Sequence, residues 1–296
     1  MSLQRGTSIS FENGLLRGAV DTNYFQSDFI AFLNDLPEAV VERRFPVLKE
    51  REDRLYLIAE IERGGTKESL FVKVDDFTRK IRFKKWIRNW FVRSRARKSW
   101  EAAHYFLEQG FPTPFPIAFL EKRRYGFLLQ SYLLVRFIGS AEPLQKGYLS
   151  RDPGKNPSDV QGSTKRRGLI IRLASLLASI HERGVSYGDL KASNVLIVPE
   201  GENERLFFID LESVRLRKSP LAESARVDDL GSIFGSVSDV VSMRDAIYFI
   251  NHYLNASPGL HIDKRSLMSA IYRCAVERRK RGERRIGKER YGERGR

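Results

Sequence analysis

The sequence predicts a two-lobed α+β chain with a strand-rich first half and a helix-rich second half. Three observations carry that expectation. Up to residue 138, short apolar and β-branched runs are separated by polar or glycine turns. After residue 168, apolar residues recur at helical spacing. Between them, residues 147–168 are rich in Gly, Pro, Ser and Asp and read as a loop or linker.

The elements follow in order. Val47 to Glu50 and Leu55 to Ile61 read as strands joined by a polar turn. Gly64-Gly65 marks the next turn, and Leu70 to Val74 is a third strand. A helix is expected from near Ser99 to before Gly110, with Pro112, Pro114 and Pro116 stopping it. Phe127 to Ile138 reads as one or two buried strands. Leu169, Leu173, Leu176, Leu177 and Ile180 then share one helix face. Val195 to Val198 and Leu206 to Ile209 read as short strands. Helical periodicity returns at Val227 to Val241, Met243 to Leu254 and Asp263 to Glu277. No internal repeat is present. These elements set a first lobe at 1–137, with a basic insertion at 79–98, a second lobe at 138–277 and a basic disordered tail at 278–296.

Composition narrows the class. Hydrophobic residues make up 42% of the chain, enough to build a core. One cysteine, Cys274, excludes an internal disulfide framework and a thiolate zinc cluster. The four histidines show no metal-ligand spacing. Met1 to Ser10 has no apolar run of a secretory signal, and no apolar stretch reaches membrane-spanning length. The expectation is a soluble protein of a reducing compartment.

A net charge of +15 points to an acidic partner: nucleic acid, nucleotide or an anionic membrane surface. The excess lies in two segments. Arg79 to Lys98 holds ten Lys/Arg and no acid, and Arg278 to Arg296 holds ten with three Glu. In the first, Phe83, Trp86, Ile87, Trp90 and Phe91 would form one apolar helix face with basic residues off it. That is the pattern of an interfacial membrane helix, and equally of a helix packed on its own domain. The tail has few apolar residues and reads as a disordered arm.

Chemistry concentrates between His181 and Asp210. The run is Tyr187-Gly-Asp189-Leu-Lys191-Ala-Ser-Asn194, then Phe207-Phe-Ile-Asp210-Leu-Glu212. Phosphoryl transfer from ATP needs a carboxylate to take the acceptor proton and a cation for the γ-phosphate. It also needs an amide and a second carboxylate to hold Mg2+. Asp189, Lys191, Asn194 and Asp210 are those groups in that order.

This pattern resembles the protein-kinase superfamily. Phe71-Val-Lys73-Val is similar to the strand that carries the ATP-binding lysine, and the resemblance makes Glu101 the partner of Lys73. It also implies an aspartate steadying the loop around Asp189, with Asp229 and Asp228 as rivals and a plain helix-start acid as the alternative. Further motifs resemble the lipopolysaccharide core kinases, which act on Kdo or heptose. They are Arg95-Ala-Arg-Lys-Ser-Trp-Glu101, Leu107-Glu-Gln-Gly-Phe-Pro112-Thr-Pro-Phe-Pro116, Tyr187-Gly-Asp-Leu and the later Asp-Asp-Leu-Gly. The resemblance spans about residues 45–255 and implies a two-lobed kinase-like fold. It implies ATP- and Mg2+-dependent phosphorylation of an inner-core sugar hydroxyl on a lipid-linked acceptor. It places the enzyme in the cytoplasm, peripheral on the inner face of the inner membrane.

There are departures. No glycine lies in the turn of the first strand pair, Tyr187 stands where a histidine is common, and Asp210-Leu-Glu212 lacks the usual glycine. The short span from Asp210 to the next helix holds no Ala-Pro-Glu-like segment, which disfavours a peptide substrate. Two other classes stay open, a kinase of a protein or other small molecule and a membrane-binding pseudokinase scaffold. Nucleic acid is disfavoured, since no zinc finger or RNA-binding motif is present.

Overall fold

A seven-stranded antiparallel sheet covered by a helix on each face builds the first part of the protein. The computed structural model describes residues 8–78, 93–150, 160–200, 203–217 and 219–293. The chain divides into two compact units, one of residues 1–139 with 210–212, the other of residues 140–209 with 213–296.

In the first unit the strands are β1 (Ser8–Asn13), β2 (Leu16–Asp21), β3 (Val47–Arg51), β4 (Arg54–Arg63), β5 (Thr66–Asp76), β6 (Pro116–Arg124) and β7 (Phe127–Arg136). Their order across the sheet is β1-β2-β6-β7-β5-β4-β3. Three hairpins close through residues that take positive φ: Gly14, the pair Gly64 and Gly65, and the pair Tyr125 and Gly126. Such turns match the right-handed twist of the strands they join. Alternation in β4 buries Leu55, Leu57, Ala59 and Ile61. They pack with Leu70, Val72 and Val74 under helix α1 (Ser27–Val41), which contributes Phe29, Leu33, Leu36 and Val40. On the opposite face, helix α2 (Arg95–Glu108) lays Ala96 and Trp100 on Phe119 and Leu133.

The hairpin β1–β2 and helix α1 were not among the elements read from the sequence. β1 buries only Phe11, and Pro37 sits inside α1, so neither shows a clean period.

The second unit holds helices α3 (Leu144–Ser150), α4 (Val160–Glu182), α5 (Glu223–Val237), α6 (Met243–Asn255) and α7 (Lys264–Glu293). Strand β10 (Val195–Glu200) pairs antiparallel with β11 (Asn203–Phe208) and with β8 (Glu142–Pro143). Strand β9 (Val185–Ser186) pairs with β12 (Arg215–Leu216). Two expectations are corrected here. The region 147–168 is partly helical, because Lys165, Arg166 and Arg167 are good helix formers and carry the helix on N-terminal to Leu169. The tail expected to be disordered continues α7 as far as Glu293. Arg281 pairs with Glu277 one turn away at 3.0 Å, and Arg279 reaches Asp239 at 2.6 Å.

Helices α5 and α7 approach closely because α5 has glycines at 231 and 235. A Cβ at Gly231 would lie 2.5 Å from Cys274 Sγ, which no side chain can tolerate. Among the described residues no helix is long and apolar enough to cross a membrane. The five aromatic and aliphatic residues expected to contact a membrane, Phe83 to Phe91, lie outside the described residues.

Candidate active site

In the first unit, a line of alternating charges lies on one face of the sheet. Strand alternation puts Lys73 and Asp75 on the same face of β5, opposite Val72 and Val74. The register sets Arg54 of β4 directly across from Asp75. Asp210 to Glu212 belongs to this unit, although the sequence placed it in the second lobe. The reason is ionic. Lys73 Nζ donates to Asp210 Oδ1 at 2.6 Å and to Glu212 Oε2 at 3.0 Å. Arg54 donates to both oxygens of Glu212, at 2.7 and 3.1 Å, and its Nε lies 2.9 Å from Asp75 Oδ1. Arg95, from the first turn of α2, reaches the same Asp75 oxygen at 3.2 Å. Asp210 itself sits at φ 62°, a left-handed conformation that Asp tolerates better than most residues.

Burial would push the Lys73 ammonium down, but Asp210 and Glu212 outweigh it and hold its pKa above the ordinary value. Burial would likewise push Glu212 up. Lys73 and Arg54 overcome that and bring it from the ordinary 4.5 to about 2. For Asp75 burial wins, and its pKa is raised despite the attraction of Arg54, Lys73 and Arg95. Asp210 and Glu212 thus keep Lys73 charged at neutral pH, and Lys73 and Arg54 keep Glu212 charged.

The depressed Glu212 value makes an acid-stability prediction. Its folded pKa lies below the unfolded one, so its contribution is complete above about 4.5 and is lost as pH falls toward about 2. The stability gap between wild type and Glu212→Gln should narrow by on the order of 2 kcal/mol from pH 6 to pH 3. Urea unfolding at several pH values measures it. A gap that stays constant with pH contradicts the ionic account.

Glu101 is not part of this line. It accepts from Arg93 at 2.9 Å and from Arg97 at 3.0 Å on the exposed side of α2. The expected Lys73–Glu101 pair is therefore corrected. Helix α2 buries Ala96, Ser99, Trp100, Ala103 and Phe106, and Glu101 follows Trp100 off that stripe.

In the second unit, the candidate residues lie on the loop after β9. Asp189 is part-exposed, and Lys191 Nζ lies 2.8 Å from its carboxylate. Asn194 is buried, and its Nδ2 donates to the Asp189 carbonyl at 3.0 Å. The Asn194 carbonyl in turn accepts from Ile209 N at 2.9 Å, at the end of β11. The spacing of three groups in one short loop is thus locked by backbone.

Asp229 of α5 holds that loop from behind. It accepts from Tyr187 N at 2.6 Å and from Gly188 N at 2.8 Å. Asp228 instead faces outward, near Arg278 at 3.9 Å, so helix phase decides between the rivals. Gly188 has φ 80°, and a Cβ there would lie 2.7 Å from Ser213 O, so only glycine fits. The Tyr187 hydroxyl donates to the Ile209 carbonyl, which ties the loop to the strand end before Asp210.

Behind Asp229 lies a buried network that sequence reasoning missed. His181 Nδ1 is 2.7 Å from the Tyr253 hydroxyl, and its Nε2 is 3.5 Å from Asp229. Burial holds the His181 pKa below its ordinary value. Arg226, fully buried, donates to the Leu221 carbonyl at 2.7 Å and to Glu182 at 2.9 Å. The available signal was an unexplained histidine at the end of an apolar helix. Arg54, Asp75 and the pairing role of Glu212 were also missed, because cross-strand and long-range pairs leave no periodic mark.

The donor chemistry fits a hard cation. The Asn194 side chain donates through Nδ2, so that Oδ1 is the atom that could ligate, and Asp210 carries carboxylate oxygens of the same hard type. Among the described residues no group of three or more His, Cys, Asp or Glu is placed to hold a metal alone. Mg2+ commonly takes one or two carboxylates together with substrate phosphates, and so does not need such a cage.

Comparison with known proteins gives the family. No curated protein matches the chain. The solved WaaP in complex with acyl carrier protein is 21% identical, with a TM-score of 0.59 over 85% of this chain and 97% of that one. This likeness shows a protein-kinase-like fold. A Toxoplasma gondii rhoptry antigen kinase domain is 14% identical over 70% of this chain and 73% of that one, with a TM-score of 0.41. The Mycobacterium tuberculosis PknI kinase domain is 11% identical over 77% and 93%, with a TM-score of 0.39. The sequence model of the lipopolysaccharide kinase (Kdo/WaaP) family matches residues 39–253, which include Lys73, Asp189, Asn194, Asp210 and Asp229. The protein is therefore a phosphotransferase, and it belongs to the lipopolysaccharide kinase (Kdo/WaaP) family.

Proposed function

We propose that the protein transfers the γ-phosphoryl group of ATP to a sugar hydroxyl, Kdo or heptose, of the lipopolysaccharide inner core. The observation that carries this reading is the Asp189–Lys191–Asn194 loop, fixed through two backbone amides by buried Asp229, in a chain of this family. Asp189 takes the proton of the acceptor hydroxyl. The hydroxyl oxygen bonds to the γ-phosphorus as the bond to the bridging oxygen breaks, and ADP leaves. Lys191 places positive charge beside that carboxylate and steadies the γ-phosphate, and Lys73 binds the nucleotide phosphates. Asn194 and Asp210 would hold Mg2+, which when bound neutralises charge on the phosphate oxygens.

The acceptor preference has support from the chain's length near the site. Residues 213–222 alone separate Glu212 from α5, a short span for a peptide-docking segment. We further propose that the protein works in the cytoplasm, peripheral on the inner membrane, with Phe83, Trp86, Ile87, Trp90 and Phe91 in the lipid interface. Its charge of +15 supports attraction to that anionic surface.

Mass spectrometry of lipopolysaccharide from cells with and without the protein tests the reaction. Loss of one inner-core phosphate is the expected result, and an unchanged phosphate pattern contradicts it. Sedimentation with anionic and neutral liposomes tests the membrane contact, and equal recovery in the supernatant with both removes it.

A further inference from the structure

We infer that Glu212, clamped by Arg54, is the positioning residue that holds Lys73, in the place the sequence assigned to Glu101. The inference deepens the kinase reading above and rests on it.

Two carboxylates meet Lys73, and they are not equivalent. Asp210 touches Lys73 through one oxygen at 2.6 Å and carries the metal-donor chemistry. Glu212 is fixed from the far side, since both its oxygens accept from Arg54. Arg54 in turn rests on Asp75, which is 1% exposed, and Asp75 is shared with Arg95. Glu212 therefore sits at the end of a packed ionic chain whose base is the sheet itself. When Asp210 turns toward a cation, Glu212 remains to keep the Lys73 ammonium in place. Glu101 has no such route to Lys73: its carboxylate is engaged by Arg93 and Arg97 on the exposed side of α2.

The consequence is an anchor independent of helix α2. The lysine is fixed by the segment that also carries Asp210, and so the two phosphate-facing groups are positioned together. Where the catalytic lysine is held by a helix, moving the helix breaks the pair. Here that lever is absent from the pairing, and Arg54 on strand β4 takes its place.

The test uses the full chain with Mg·ATP as probe, by calorimetric titration and by kinetics with ATP varied. Glu212→Gln should weaken Mg·ATP binding and raise the KM for ATP by on the order of tenfold. Its kcat should fall by on the order of 10²-fold through misplacement of Lys73. Glu212→Asp should recover part of both, and Glu101→Gln should leave both within about twofold of wild type. A merely structural role for Glu212 would lower thermal stability without moving the KM for ATP. Should Glu212→Gln fail to fold, Arg54→Lys reads the same clamp. The exposed Glu101→Gln variant decides on its own, because a tenfold loss there overturns the inference. Wild-type kinetics in Glu212→Gln also overturn it. A wild-type protein that neither binds nor turns over Mg·ATP would instead defeat the kinase reading.

Discussion

Asp189→Ala should lower kcat for sugar phosphorylation by on the order of 10²–10⁴-fold while leaving the KM for ATP near its wild-type value. The reason is chemical. Asp189 is the one carboxylate in its loop, and its carboxylate meets only Lys191 among the described residues. Its side chain is 40% exposed and that of Lys191 49%, so the ion pair between them contributes little to folding. The variant should therefore melt close to wild type. Single-turnover assays with labelled ATP and a lipid-linked acceptor separate transfer from binding. Undiminished transfer would remove Asp189 from the reaction and with it the proposed mechanism.

Asp229→Ala should cost about 3–5 kcal/mol of stability and abolish measurable transfer, whereas Asp228→Ala should change stability by less than about 0.5 kcal/mol. Asp229 is 1% exposed, and both its oxygens accept from backbone N–H groups of the loop. Truncation leaves the buried Tyr187 N–H without a partner, at about 1–3 kcal/mol, frees the part-buried Gly188 N–H, and strands His181 beside a void. The neighbouring Asp228 has a side chain that is 67% exposed. Chemical denaturation of both variants in parallel measures the contrast. Equal costs would mean that Asp229 does not support the loop.

The pair of adjacent aspartates shows what one dimension can and cannot fix. Both sit side by side in α5, and both have the right charge to accept from an approaching loop. Their roles diverge because a step of one residue rotates a side chain by about 100° around the helix axis. The burial pattern of α5 sets that phase: Arg226, Asp229, Leu230 and Ile233 are buried and Asp228 is not. A sequence contains the periodicity but not the contact that selects one phase.

Glu101 and Glu212 make the same point over a longer range. Glu101 had the expected helix and the expected order. Yet two arginines from its own helix start claim it, and they are closer in sequence than any strand lysine. Glu212 lies far from Lys73 in sequence, and only the folded sheet brings them to 3.0 Å. The hairpin of β1 and β2 was invisible for another reason. Its first strand has mostly exposed residues, and β2 joins the sheet by backbone pairing to β6, which needs no particular side chains.

The sequence by itself determined the order of chemistry. Asp189, Lys191 and Asn194 fall on one loop because their spacing is local, and the apolar run before Asp210 ends a strand wherever the rest of the chain goes. It also determined the two-lobed α+β class, because strand and helix periods are local properties. Only the tertiary structure decided which acid holds Lys73, which aspartate holds the loop, and that His181 and Arg226 stand behind it. Those choices depend on through-space charge, burial and helix phase. Each is settled by residues far apart in the chain, and no local pattern encodes them.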